Sequence, residues 1–333
     1  MIKLSLPKVF LTQLIPDTGM SLLKGKVDYT LWSIDEAPDP DIVLRDVKNA
    51  DGVIVTMGVK LDRNFFEKAE KLKVASLYSV GYDSVDIKTA TELGIMVTNT
   101  PGVLTDATAD TAMMLMLMTA RKARENERIM RTGGWTHWSP SLFVGKDLAG
   151  SALGIVGFGE IGRAVAKRAL SFGMKIIYTS RTRKIEYEDR LCAENVPLGE
   201  LLERSDFVSL NCALTKDTTG LIGEDELRMM KKDAVLINTA RGAIVDQKAL
   251  FRACSEGWIY GAGLDVYEKE PIPLDEPLLG LENVVMMPHL ASATKGAREG
   301  MARLAVTNLL EALEGRVPPN LVNPDVLGRL RSF

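Results

Sequence analysis

Histidine and cysteine are both scarce in this chain, with two and three copies among 333 residues. Cys192, Cys212 and Cys254 are odd in number and show neither metal-ligand nor redox spacing, which argues against a disulfide framework and points to a reducing compartment. An excess of one charge is also missing. The 41 basic and 44 acidic residues are well mixed and leave a net charge of -3. No basic block offers a footprint for nucleic acid or an anionic membrane. Long apolar runs are absent too. The most apolar window, Ala112 to Met118, is far too short to span a bilayer, and its methionines read as core or as a subunit contact. Met1-Ile-Lys3 reaches Pro7-Lys8 before a signal peptide could form, so a cytoplasmic protein is expected. There is no low-complexity segment.

What the chain has is a steady alternation of strand and helix. Lys8–Gln13, Val27–Trp32, Gly52–Met57, Val74–Val80 and Ile95–Thr98 read as strands, with helical periodicity in Asn64–Leu72 and Asp86–Leu93. A long helix is expected from about Asp106 to Arg131, apolar along one side and charged towards its end. The alternation returns later, with strands near Phe207–Leu210, Ala234–Asn238, Gly261–Val266 and Asn283–Met287. A final helix, Lys295–Glu314, leaves a Pro318-Pro319-Asn320 tail with no obvious partner in the second alternating unit. Such a pattern predicts an α/β fold, and the length predicts two domains, each a doubly wound parallel sheet with helices on both faces.

Mid-chain, the apolar run Ser151–Val156 leads directly into Gly157-Phe158-Gly159-Glu160-Ile161-Gly162. This reads as a turn from a buried strand into a helix whose N-terminus receives a dinucleotide pyrophosphate. Gly157 allows the tight turn, Gly159 lets backbone amides approach phosphate, and Gly162 lets helix and strand pack closely. Ile161, Val165 and Ala169 keep helical spacing, Gly173 suits the C-terminal cap, and Lys175–Thr179 follows as a second strand. An NAD-specific unit places an acid about 20 residues beyond the first glycine to hold the ribose 2′-hydroxyl. Here that zone is Ser180-Arg181-Thr182-Arg183-Lys184, with no acid before Glu186. Arg181 and Arg183 offer forked donors for a 2′-phosphate, so NADP(H) is expected ahead of NAD(H).

The ends of the late strands carry the polar groups. Arg241 follows Ala234–Asn238, an acidic stretch follows Gly261–Val266, and His289 follows Asn283–Met287. Ligands of open α/β sheets bind beyond the carboxyl ends of strands. An arginine, an acid and a histidine there form the set needed to reduce a 2-oxo acid. The arginine would hold the substrate carboxylate and polarise the ketone, and a protonated imidazole backed by a carboxylate would donate to the carbonyl oxygen. His137 lies in a Trp-flanked loop, so His289 is the better placed of the two. Asp265, Glu268 and Glu270 compete for the acid, and spacing does not choose among them.

Along nearly its whole length the chain resembles the D-isomer-specific 2-hydroxyacid dehydrogenase family, and within it the glyoxylate/hydroxypyruvate reductases. The resemblance is carried by Tyr78-Ser-Val-Gly-Tyr-Asp83, Val97-Thr-Asn-Thr-Pro101, Leu104-Thr-Asp-Ala-Thr-Ala-Asp110, the glycine motif, Asn238-Thr-Ala-Arg-Gly242, Gly263-Leu-Asp-Val-Tyr-Glu-Lys-Glu-Pro271 and Pro288-His-Leu-Ala-Ser-Ala293. It implies Arg241, Glu270 and His289 as the catalytic trio, with a small 2-oxo acid as substrate. It also implies substrate contacts from backbone amides near Val80 and Gly81. Thr108 and the loop Thr239-Ala240-Arg241 would line the nicotinamide, while Cys212 would lie beneath the adenine and Asp265, His289 and Ala291 near the cofactor.

The same resemblance implies a flavodoxin-like substrate domain (residues 1–103 and 291–333) interrupted by a Rossmann cofactor domain (104–290). It further implies a homodimer formed through the cofactor domain, with Trp138 reaching the partner's site. Two positions depart from the family pattern: Ala213 replaces a common proline, and Ala291 a common glycine.

Overall fold

The computed structural model describes residues 5–32 and 38–331. The chain divides into two compact units. One takes in residues up to Leu104 and from Ala293 onward, and the other is Thr105–Ser292.

The first unit contains β1 (Lys8–Leu11), β2 (Asp28–Leu31), β3 (Gly52–Val55), β4 (Val74–Leu77) and β5 (Met96–Thr98). They form one parallel sheet in the order β2-β1-β3-β4-β5, the flavodoxin-like arrangement. β3 and β4 are buried at every position, as expected of parallel strands covered on both faces. Phe10, Phe65, Phe66, Leu72 and Ile95 fill one side of this sheet, each contributing about 1.5–3 kcal/mol by burial. The last helix, Lys295–Leu313, lies on the sheet, where Ser76 Oγ donates to the Ala305 carbonyl at 2.8 Å. The proline-containing tail finds its partner within this first unit. Leu321 bridges Thr98 antiparallel, and Asn323 binds the Val97 amide and the Ile95 carbonyl, so the tail covers the outer edge of β5.

The second unit contains β6 (Ala152–Val156), β7 (Lys175–Thr179), β8 (Ala193–Asn195), β9 (Phe207–Leu210), β10 (Val235–Asn238), β11 (Gly261–Leu264) and β12 (Val284–Met286). All pair in parallel in the order β12-β11-β10-β9-β6-β7-β8. The strand order reverses between β6 and β9, which is where such sheets bind ligands. Two parallel α/β units therefore match the fold class read from the sequence. The short polar edge strand β8 was not expected; its Ala-Glu-Asn has no apolar run to signal it.

The long helix is not continuous. It runs Thr105–Ala120, breaks at Lys122 in left-handed backbone (φ 51°), and resumes as Ala123–Arg131. The apolar stripe ends at Ala120, and the second piece buries no residue. The Ala120 carbonyl instead accepts the Lys146 amide at 2.8 Å. Arg124 binds the carbonyls of Leu279, Leu281 and Val284 at 2.6–3.1 Å.

Candidate active site

The glycine turn has the geometry its residues suggest. Gly157 has φ +95°, and a methyl there would meet the Asn211-Cys212 backbone, while one at Gly162 would overlap the Gly157 carbonyl. Gly159 is different: apart from its own chain neighbours, nothing among the described residues lies within 4 Å of where its Cβ would sit. It is the N-cap of the helix Glu160–Ser171 and makes no side-chain cap. Asp62, Asp86, Asp246 and Thr294, by contrast, cap their helices through side-chain oxygens. Open space over uncapped amides is what a pyrophosphate requires. Phe158 contributes only backbone there, because its ring is buried against Tyr178 (centroids 4.0 Å apart, interplanar angle 17°). Glu160 is exposed and Ile161 half-buried on the first turn.

Two further features fit a bound nucleotide. Asn211 Oδ1 and Thr239 Oγ1, just past the carboxyl ends of β9 and β10, are buried without a hydrogen-bond partner among the described residues. A buried polar atom left so costs about 1–3 kcal/mol until a ligand satisfies it. Cys212 sits between them in sequence, and burial pushes its thiol up to about 11, so it stays neutral. Thr108 is buried on the helix Thr105–Ala120. Ala240 holds its amide against Asn238 Oδ1 at 3.0 Å.

After β7, Ser180 Oγ donates to the Thr182 carbonyl at 2.7 Å and tightens the basic turn. Arg181 and Thr182 are exposed. Arg183 is engaged: its Nε and Nη2 donate to the two oxygens of Glu188 at 2.8 and 2.7 Å. The acid missing from the turn in sequence is thus returned to it by the helix Ile185–Leu191.

The three competing acids have different roles. Glu268 faces the helix Gln247–Ser255, accepting the Gln247 amide at 3.0 Å. Asp265 is fully buried and accepts the amides of Leu290 (2.7 Å) and Ala291 (2.8 Å). Burial raises its carboxyl above the usual value against the pull of those amides. Glu270 alone bonds the histidine: its Oε2 lies 2.6 Å from His289 Nδ1, and its Oε1 accepts the Tyr267 amide at 2.9 Å. Burial opposes its charge, but the bonds from His289 and Tyr267, with the charges of His289 and Arg241, hold it below the ordinary glutamate value.

His289 itself occupies left-handed backbone (φ 53°), held by its amide bond to the Asp265 carbonyl at 2.9 Å. Tyr267 braces the same corner, donating its hydroxyl to the Met287 carbonyl at 2.9 Å. Arg241 extends from the end of β10, where Asn238 Nδ2 donates to its carbonyl at 2.9 Å. Sequence reasoning singled out neither Gly242 nor Tyr267. Yet a methyl at Gly242 would overlap the Tyr267 carbonyl, so the arginine loop and the acid loop lie backbone to backbone.

Val80 and Gly81 follow β4 in the first unit, with carbonyls accepting Asn99 Nδ2 and Ser79 Oγ at 2.8 Å each. Trp138 is 77% exposed in the second unit. Among the described residues no group of three or more His, Cys, Asp and Glu side chains could hold a metal, and no helix is long and apolar enough to cross a membrane.

Comparison with known proteins gives the arrangement its relatives. Residues 113–291 match the model of the D-isomer specific 2-hydroxyacid dehydrogenase NAD binding domain. A glyoxylate reductase of Thermococcus litoralis is 51% identical over 325 residues, covering 96% of this chain and 98% of the relative. A solved structure of a Thermus thermophilus protein superposes with a TM-score of 0.88 at 44% identity, over 95% of this chain and 99% of the other. The NADPH-dependent glyoxylate/hydroxypyruvate reductase of Sinorhizobium meliloti, solved with NADP and malonate, gives 0.85 at 33% identity, over 99% and 100%.

Proposed function

The chain belongs to the D-isomer-specific 2-hydroxyacid dehydrogenase family, and on that premise we propose that glyoxylate and hydroxypyruvate are its substrates, reduced to glycolate and D-glycerate. It is an NAD(P)-dependent oxidoreductase of small 2-oxo acids. The observation that carries the proposal is the 2.6 Å pair of Glu270 and His289, with the charge of Arg241 acting on the same carboxylate.

The bound nicotinamide supplies the hydride. Glu270 fixes a proton on His289 Nδ1 and leaves Nε2 to donate to the substrate's carbonyl oxygen. The Arg241 fork takes the substrate carboxylate and polarises the ketone. NADPH is favoured over NADH, because the turn Ser180–Lys184 carries no acid of its own and Arg181 is exposed for a 2′-phosphate. Thr108, Thr239 and Ala240 are assigned to the nicotinamide end, with Asp265 and Ala291 shaping its edge.

A homodimer is supported by the apolar surface of Met114, Leu117, Met118 and Phe172 on the second unit. Trp138 would then serve the partner's site. The three free thiols support a reducing, cytoplasmic setting.

The test is loss of nicotinamide absorbance when the protein meets glyoxylate or hydroxypyruvate, with NADPH and NADH in parallel. Rapid loss with NADPH supports the full reading, and loss mainly with NADH keeps the reaction but removes the cofactor preference. No loss with either substrate overturns the substrate assignment.

A further inference from the structure

Glu188 takes no part in the chemistry proposed above, yet its side chain closes the basic turn. It lies five residues after Arg183, and its side chain is 14% exposed where that of Arg183 is 61% exposed. Through the bonds at 2.8 and 2.7 Å, one edge of the Arg183 guanidinium is taken up by a single carboxylate. Glu188 Oε1 also accepts the Tyr178 hydroxyl at 2.7 Å, and that hydroxyl accepts the Lys184 amide at 2.8 Å. Tyr178 stacks on Phe158, so the same carboxylate links the basic turn to the glycine turn. Its bonds to Arg183 and Tyr178 pull the Glu188 carboxyl down to about 2, which keeps it an anion at any working pH.

Arg181 stands apart from this network. It is exposed, and among the described residues no hydrogen bond or ion pair engages it. We propose that Glu188 sets the balance between NADPH and NADH by competing for Arg183, which would otherwise join Arg181 on the 2′-phosphate. The proposal rests on the dinucleotide reading of the turn given above. A 2′-hydroxyl needs neither guanidinium, so holding Arg183 back weakens NADPH selectively. Glu188 acts through Arg183 and is a positioning residue.

Glu188→Gln removes the charge and keeps an acceptor for the Tyr178 hydroxyl. Dissociation constants for NADPH and NADH, read by calorimetry on the whole protein without substrate, report its effect. NADPH should bind about ten times more tightly, and NADH should change by less than about twofold. In an Arg183→Ala background the gain should largely vanish, because the pair is then already broken. Tyr178→Phe keeps the ion pair but cuts the link to the glycine turn, so it should affect both dinucleotides alike. An unchanged NADPH:NADH ratio in Glu188→Gln, or the same shift with and without Arg183, would overturn the proposal. Glu188→Asp, one methylene shorter, carries the same test should the glutamine variant not fold. If the parent binds neither dinucleotide, the reading of the turn has failed; binding with an unmoved ratio removes Glu188 alone.

Discussion

Gly242 packs against the carbonyl of Tyr267 so closely that no side chain fits between them. The contact matters because Arg241 precedes Gly242 and because the Tyr267 amide holds Glu270. Gly242→Ala should push the two loops apart and misplace arginine and acid together. Displacements of about 1 Å at a reacting centre cost about a hundredfold, so kcat/KM should fall by roughly that factor. The overpacked backbone should also lower stability by about 1–3 kcal/mol. Steady-state kinetics and a melting curve on one preparation check both, and a variant with the parent's kcat/KM would show that the contact does not set the site.

His289 sits in left-handed backbone, which dictates the useful substitution. Asparagine tolerates that region better than most residues, so His289→Asn removes the imidazole with little backbone penalty. A positioned general acid is worth about 10²–10⁴ in rate, and kcat should drop by that factor while the melting temperature stays near the parent's. A near-normal kcat would remove His289 from the chemistry.

Glu270 gives a prediction in pH. Its folded carboxyl is held below the usual value, so between the two values the unfolded chain binds more protons than the folded one. Its contribution to stability is therefore present above the ordinary glutamate value, about 4.3, and is lost as pH falls through the lower folded value. In Glu270→Gln that contribution is absent at every pH. The melting-temperature gap between parent and variant should be widest near neutrality and should close below about pH 4. Other carboxylates are common to both proteins and cancel in the difference. A gap of constant size from pH 7 to pH 3 would contradict a carboxylate held low by His289 and the Tyr267 amide.

Much of this was legible in the residues themselves. Fully buried parallel strands show as apolar runs, and polar groups stand just past the strand ends, which is how Arg241 and His289 stood out before any geometry. The glycine turn was legible because three glycines at that spacing follow such a run. What spacing could not decide was direction. Asp265, Glu268 and Glu270 lie within six residues, and only the path of the loop turns the first to the Leu290 and Ala291 amides, the second to a helix and the third to the imidazole. Glu188 was hidden for a related reason, since it re-enters the turn from a helix that begins after it. The break at Lys122 was invisible to periodicity, because the three carbonyls that Arg124 meets come from residues 279–284, far along the chain.

Asp265 offers the last prediction, because both of its oxygens hold the corner that presents His289. They accept the Leu290 and Ala291 amides, while its own carbonyl accepts the His289 amide. Asp265→Ala leaves two amides unpaired, one of them on the buried Ala291. Each unpaired buried group costs about 1–3 kcal/mol, offset in part because the variant no longer keeps a charge in a buried site that opposes it. A net loss of about 2–4 kcal/mol is expected in denaturant unfolding. Left-handed backbone at His289 depends on its surroundings to persist, so kcat should fall more than KM rises once the corner relaxes. Loss of stability with an unchanged kcat would mean that the carboxylate supports the fold and leaves the aim of His289 to Glu270 and Tyr267.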